Sequence, residues 1–395
     1  MGEPGRVSMR IGFISGEYPP MQGGVGDFTR ELARALARLG SEVHVITRTA
    51  LGGEIDPTPL TLHPVIPHWG WGAYRLLASL LRRLQLDVLN IQYQAAAYDL
   101  HPAINFFPLL KPLAAPRRDL PIAVTFHDLK VPYLFPKAGP LREWVVTLLA
   151  SKADATIVTN QGDARTLADR GVKGVARIPI GSNIAPVPLA GGDRNSWRAR
   201  LGMTTEDCLL GFFGFFNARK GVETLIEALD TLDDSYHLLF IGGTVGSSDA
   251  TNRAYAEQIQ ARIADLGLSQ RVHYTGYVAP AEVSAAFAAI DLCVLPYADG
   301  ISFHHGTLMA ALAHGQTIIS TRPALELEDL AQGQNVWLVP PGDAHALALA
   351  ITTLQADPAR RQQLALGAQQ LATQFSWEEI ATRTLALFRG LRADA

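Results

Sequence analysis

The chain has 395 residues, 48% hydrophobic and 18% charged, a globular composition long enough for two domains with full cores, which excludes a disordered chain. Its formal net charge of −3, with no run of like charges, excludes an electrostatic footprint for nucleic acid and points to a small-molecule ligand. The two cysteines, Cys208 and Cys293, lie in apolar runs; they frame no disulfide scaffold and offer no zinc-ligand spacing, so no metal site is expected.

The first residues, MGEPGRVS, lack the charged-then-apolar order of a secretory signal, and apolar runs such as Ile104–Leu110 stop far short of a spanning length. The expected compartment is the cytoplasm. In chain order, Arg10–Ser15 reads as a buried strand, followed by the loop EYPPMQGGVG and a predicted helix over Asp27–Leu39. Leu32, Ala35, Leu36 and Leu39 form the helix's apolar stripe and Gly40 stops it. Val43–Thr47 is the next strand, so the chain opens with a βαβ unit. Gly23, Gly24 and Gly26 let the backbone approach a ligand, but their spacing is not G-x-G-x-x-G, which argues against a dinucleotide.

Tyr74–Leu84 carries Leu76, Leu77, Leu80, Leu81 and Leu84 on one face and Arg75, Arg82 and Arg83 on another, just after Trp69 and Trp71. Two readings stay open: a helix packed on a sheet with a solvated basic face, or an interfacial membrane helix. Strands are predicted at Val88–Gln92 and Ile122–Phe126, the second placing His127 and Asp128 at its carboxyl end, where ligand-facing residues of open α/β sheets sit. A strand at Ala155–Thr159, a helix at Asp163–Ala168 and a strand at Arg177–Ile180 complete a first domain. GSNIAPVPLAGGDRN then breaks the periodicity as a linker.

A second βα series starts at Leu209: strand GFFGFF, loop NARKG, helix Val222–Leu229, strand His237–Ile241, helix Arg253–Leu266, strand Val272–Thr275 and helix Ala281–Ala288. Next comes the most telling stretch, LPYADGISFHHGTLMAALAHGQTIIST. Here a strand ends at Leu295, a Gly/Ser/His loop follows, Gly306 and Thr307 open a short helix, Gly315 stops it, and Ile318–Ser320 forms another strand. A helix start beyond the carboxyl end of a parallel strand presents free amides and a positive dipole end, so the stretch reads as an anion site. Two α/β halves with no solenoid period predict an α/β chain of two doubly wound Rossmann-like domains facing across a cleft. Their expected limits are 1–183 and 184–375.

Through these motifs nearly the whole chain resembles the GT-B fold glycosyltransferases, most closely the retaining family 4. SGEYPPMQGGVGDFTRELARAL, FHD, FFGFFNARKGVETLIEAL, YTGYV, DLCVLPYADG, ALAHGQTIIST and PPGD carry the likeness, and SWEEIATRTLALFRGL resembles the last helix of that fold, so 376–391 is expected to pack back on the first domain. The resemblance implies transfer of a sugar from a nucleotide-sugar donor, held by the second domain, to a sugar or lipid-linked acceptor held by the first. It implies no cofactor and no metal, and the chain lacks an Asp-x-Asp motif.

Carried over, Gly23 and Gly24 would lie near the donor phosphates, and His127 would approach the transferred sugar. Lys220, with Arg219 beside it, would contact the diphosphate. Gly276, Tyr277 and Val278 would frame the base, and Gly306 and Thr307 would give amides to the phosphate. The family's E-x7-E pair is Ser302 and Ala310 here, and its usual Arg is Phe215; Ser302, His304 and His305 are the residues left to contact sugar or phosphate. These departures keep two alternatives open: a non-catalytic relative that binds a sugar nucleotide or a partner, and a GT-B sugar-nucleotide epimerase. A peripheral contact with the inner face of a membrane is the third open point.

Overall fold

The computed structural model describes residues 8–21, 23–49, 60–111, 119–129, 139–187, 194–243 and 250–393. The chain divides into two compact units, Met1–Gly181 with Trp377–Ala395, and Ser182–Ser376. In the first, β1 (Arg10–Ser15), β2 (Glu42–Arg48), β3 (Leu60–Ile66), β4 (Val88–Tyr93), β5 (Ile122–Phe126), β6 (Ala155–Val158) and β7 (Val175–Arg177) form a seven-stranded sheet in the order β3-β2-β1-β4-β5-β6-β7. Every pairing is parallel. Every residue of β4 and β5 is buried, as expected of a parallel sheet covered on both faces.

One face of that sheet is covered by helix Gly24–Arg38, whose Phe28, Leu32 and Leu36 pack with Ile380, Leu385 and Phe388 of the final helix Trp377–Ala393. The other face is covered by helices Ala73–Leu84 and Gly139–Lys152, among others. Ala73, Leu77, Ala78, Leu80 and Leu81 of the first of these are buried, while Arg75, Leu76, Arg82 and Arg83 are exposed. That helix is thus a core helix with a basic outer face.

The second unit repeats the plan with β8 (Cys208–Phe213), β9 (Tyr236–Ile241), β10 (Val272–Tyr274), β11 (Leu292–Leu295), β12 (Ile318–Thr321) and β13 (Trp337–Val339). These make a six-stranded sheet in the order β10-β9-β8-β11-β12-β13, parallel throughout. At its amino-terminal edge, the Asp291 carboxylate accepts from the Leu209 amide and from both Arg194 and Arg198, tying helix Arg194–Ala199 to the sheet.

The structure moves several sequence boundaries. The first helix starts at Gly24 rather than Asp27, and β7 lies at Val175–Arg177 rather than Arg177–Ile180. GFFGFF is not one strand: β8 ends at Phe213, because Gly214 takes a left-handed conformation with φ 109° and turns the chain. No helix among the described residues is long and apolar enough to cross a membrane.

Candidate functional site

In each sheet the strand order reverses once, between β1 and β4 and between β8 and β11. Loops leaving the carboxyl ends of strands at such a reversal diverge and leave a crevice, the usual ligand position of an open α/β sheet. In the second unit those loops are Gly214–Gly221 and Pro296–His305, and they hold Arg219, Lys220, Ser302, His304 and His305 of the residues expected at the donor side.

Lys220 ends the short turn Ala218–Lys220 that follows β8, a turn capped by Asn217, whose side chain accepts from the Arg219 amide. Gly221 continues at φ 63°, and a Cβ there would fall 1.9 Å from the Pro296 carbonyl oxygen. Only glycine lets the two loops lie this close. The loops are also joined by the Ala298 amide donating to Arg219 O. At Gly214 a Cβ would lie 2.5 Å from Lys220 Nζ and 2.7 Å from Thr307 Cγ2, so the ammonium and the threonine flank the same glycine. Burial lowers Lys220 to about 8: it carries its charge at neutral pH, in surroundings that favour its loss.

Thr307 is the second residue of helix Gly306–Ala313, and His305 caps that helix. The first-turn amides of such a helix have no intrahelical partner and lie at its positive end. The Thr307 hydroxyl meets the Tyr297 phenol at 2.6 Å, and the Tyr297 ring lies against the His305 ring with centroids 3.9 Å apart. His305 Nδ1 is buried without a hydrogen-bond partner among the described residues. Burial, with His304 and Lys220 nearby, pushes His305 down to about 3, so the ring is neutral in any ordinary assay. Ser302 Oγ bonds His304 Nδ1 at 2.8 Å, and His304 stands edge-on to His305. Lys220, Ser302, His304, His305, Gly306 and Thr307 therefore form one group.

The remaining donor-side residues are arranged differently. Gly276 bridges Gly242, just beyond β9, and Tyr277 is 78% exposed. Val278 is half-buried and Arg219 exposed. Ala310 is 0% exposed, inside the hydrophobic layer beneath the helix.

In the first unit, His127 follows β5. Its Nε2 lies 2.8 Å from Gln92 Oε1, and the Gln92 amide nitrogen donates to Asn90 Oδ1, which also receives the Thr125 hydroxyl. Because the Gln92 nitrogen is committed to Asn90, its oxygen must accept, and His127 donates from Nε2. Burial holds His127 near 4. The ring is thus neutral, with Nδ1 left as an acceptor, and the Phe28 ring stands against it at 4.7 Å. No sequence signal marks this relay, since Asn90 and Gln92 read there only as strand residues.

Gly23 and Gly24, expected in a loop near the donor phosphates, instead open the first helix, and the Val25 and Gly26 amides both donate to Glu17 Oε1, at 3.0 and 3.2 Å. A Cβ at Gly23 would fall 2.1 Å from that carboxylate. The seat expected for a phosphate there holds the chain's own carboxylate, six residues upstream of Gly23. Desolvation raises the Glu17 pKa against the two amide bonds that lower it. Among the described residues no cluster of three or more His, Cys, Asp or Glu is arranged to hold a metal ion.

Two parallel Rossmann-like units, with candidate residues at the strand reversals, are the architecture of the GT-B glycosyltransferases. Residues 23–181 match the glycosyl transferase 4-like domain, and residues 207–357 match the glycosyl transferases group 1 domain. The chain belongs to the family 4-like glycosyltransferases of GT-B fold. Among curated proteins it is 27% identical to the D-inositol 3-phosphate glycosyltransferase of Xylanimonas cellulosilytica, over 98% of this chain and 97% of that one. It is 24% identical to the phosphatidyl-myo-inositol mannosyltransferase of Mycobacterium leprae, over 96% of each. Among solved structures, Anabaena HepE in complex with UDP and glucose superposes with a TM-score of 0.74 at 21% identity, covering 97% of this chain and 100% of that one. Sucrose-phosphate synthase from Thermosynechococcus elongatus gives 0.71 at 22% identity, covering 98% and 100%.

Proposed function

We propose that the protein is a retaining, metal-independent hexosyltransferase that uses a nucleoside diphosphate sugar and glycosylates a hydroxyl of a sugar or lipid-linked acceptor. The carrying observation is the meeting of Lys220 and Thr307 at Gly214, beside the neutral His305 and at the start of a helix. Glycosyl transfer leaves a nucleoside diphosphate, and a cation with helix amides stabilises the charge that grows on its phosphates. That UDP accompanies glucose in a protein of the same fold supports a nucleotide donor.

In this reading the second unit holds the donor, with Gly276, Tyr277 and Val278 against the base, Lys220, Arg219, Gly306 and Thr307 at the diphosphate, and Ser302, His304 and His305 toward the sugar. The first unit holds the acceptor, with His127 Nδ1 as a hydrogen-bond acceptor for a hydroxyl of the reacting sugar. The bond from the anomeric carbon to the phosphate oxygen breaks as the acceptor oxygen bonds the same face. The acceptor's proton passes to the departing phosphate oxygen, so the protein supplies positioning and charge rather than a carboxylate base. The exposed face of Arg75, Leu76, Arg82 and Arg83, with Trp71 53% exposed, suits an acceptor presented at an anionic membrane surface.

The test is a panel of UDP-, GDP- and ADP-sugars assayed for nucleotide release with and without acceptors, and the anomeric configuration of the product by NMR. Acceptor-dependent release with one base and retained configuration is the expected result. Saturable binding without turnover would instead mark a non-catalytic relative, and acceptor-independent isomerisation an epimerase.

A further inference from the structure

The family resemblance assigns no role to Tyr297, yet it touches Thr307, placed at the donor diphosphate, and His305, placed toward the sugar. It follows β11 directly and is 2% exposed, so its phenol hydrogen has to be used inside the protein. The partner is Thr307 Oγ1, at 2.6 Å. With no other acceptor for the buried phenol hydrogen among the described contacts, the phenol is the donor toward Thr307. A threonine hydroxyl that accepts from a fixed donor must aim its own hydrogen elsewhere. The same threonine side chain reaches Gly214, where a Cβ would lie 2.7 Å from Thr307 Cγ2 and 2.5 Å from Lys220 Nζ. The same tyrosine ring lies against His305 with centroids 3.9 Å apart and an interplanar angle of 29°.

The geometry points to Tyr297 as a positioning residue of the donor site: it turns the Thr307 hydroxyl into a donor aimed at the diphosphate and holds the His305 ring flat beside it. This rests on the donor-site reading above. Burial raises the Tyr297 pKa well beyond the assay range, so the phenol stays protonated at any pH at which the enzyme would be used. With Ser302 and Ala310 in place of the family's two carboxylates, orientation of neutral groups replaces charge in this loop.

The experiment is calorimetry of UDP, GDP and ADP, and of the matching nucleosides without phosphate, on the full chain and on Tyr297→Phe, Thr307→Val and the double variant. A thermal melt of each accompanies it. Binding of none of the three diphosphates by the unaltered protein would overturn the donor-site reading itself. Given binding, Tyr297→Phe keeps the ring against His305 and removes only the hydroxyl. Diphosphate affinity should then fall about five- to tenfold, with nucleoside affinity unchanged. Thr307→Val should show the same loss, and the double variant no more than about a twofold further loss, because the two hydroxyls act as one donor chain. Unchanged diphosphate affinity in folded Tyr297→Phe, equal loss for nucleoside and diphosphate, or fully additive losses would each overturn the proposal. Should Tyr297→Phe fail to fold, Thr307→Val decides alone: diphosphate affinity equal to that of the unaltered protein sinks it.

Discussion

Lys220 combines two properties that pull against each other, a charge placed for a phosphate and burial that opposes that charge. An unfolded lysine titrates near 10.4, whereas Lys220 in the fold titrates at about 8. Between those values the unfolded chain binds the extra proton, so the contribution of Lys220 makes the free protein more stable as pH rises from 8 to 10. Diphosphate affinity should move the opposite way, falling as the ammonium is lost above pH 8. A bound diphosphate restores the charge, so binding at pH 8.5 should take up a fraction of a proton, and binding at pH 7.5 a smaller one, both above the titration of the diphosphate itself. Calorimetry in two buffers of different ionisation enthalpy reads this directly; no buffer dependence at pH 8.5 would remove Lys220 from the diphosphate. Lys220→Ala should cut turnover by roughly a hundredfold. His305, held near 3, is neutral at both pH values and leaves the comparison clean.

At the scale of elements, the two helix starts that look alike in sequence behave differently. Both were legible as glycine turns after a strand, but only the structure shows that Glu17 fills the first, because the acid lies in the same loop and six residues carry no periodicity. Glu17→Ala should leave the Val25 and Gly26 amides without their acceptor and lower stability by about 1 to 3 kcal/mol in a denaturant titration. Inorganic phosphate should recover part of that loss in the variant and do nothing for the unaltered chain; equal phosphate response in both would mean that Glu17 does not hold the seat.

The second helix start carries the opposite lesson. Ala310 stands where the family has a carboxylate, yet its side chain is fully buried, so Ala310→Glu would bury a charge inside the fold. A loss of several kcal/mol, seen as a large drop in melting temperature without tighter nucleotide binding, is expected. Elements absent from the sequence reading have physical reasons too. β3 carries Pro64 and leaves side chains of both faces partly in solvent, as an edge strand does. Helix Ala344–Ala356 is so rich in alanine and leucine that no polar face marks its period. Tyr297 was legible as a residue but not as a partner, since the ten positions separating it from Thr307 close only through the loop Ala298–His305.

At the scale of the molecule, the final helix Trp377–Ala393 belongs to the unit formed by the start of the chain. Ile380, Leu385 and Phe388 are 5% exposed or less, and each buried side chain of this size contributes about 1.5 to 3 kcal/mol. Truncation after Ser376 should therefore remove much of the stability of a domain whose total is about 5 to 15 kcal/mol. Hydrogen exchange should show lost protection in β1, β2 and β4, with β8, β9 and β11 unchanged. Unchanged protection in the first sheet would contradict the packing described.

That return of the chain has a consequence during synthesis on the ribosome. The residues that cover helix Gly24–Arg38 are translated only after the whole of Ser182–Ser376. At about 5 to 20 residues per second the stretch between Arg38 and Trp377 leaves the apolar face of Phe28, Leu32 and Leu36 uncovered for roughly 15 to 70 s. The second unit has all its strands as soon as its own segment emerges, while the first unit, though made first, is finished last and is the part of the nascent chain with most need of a chaperone.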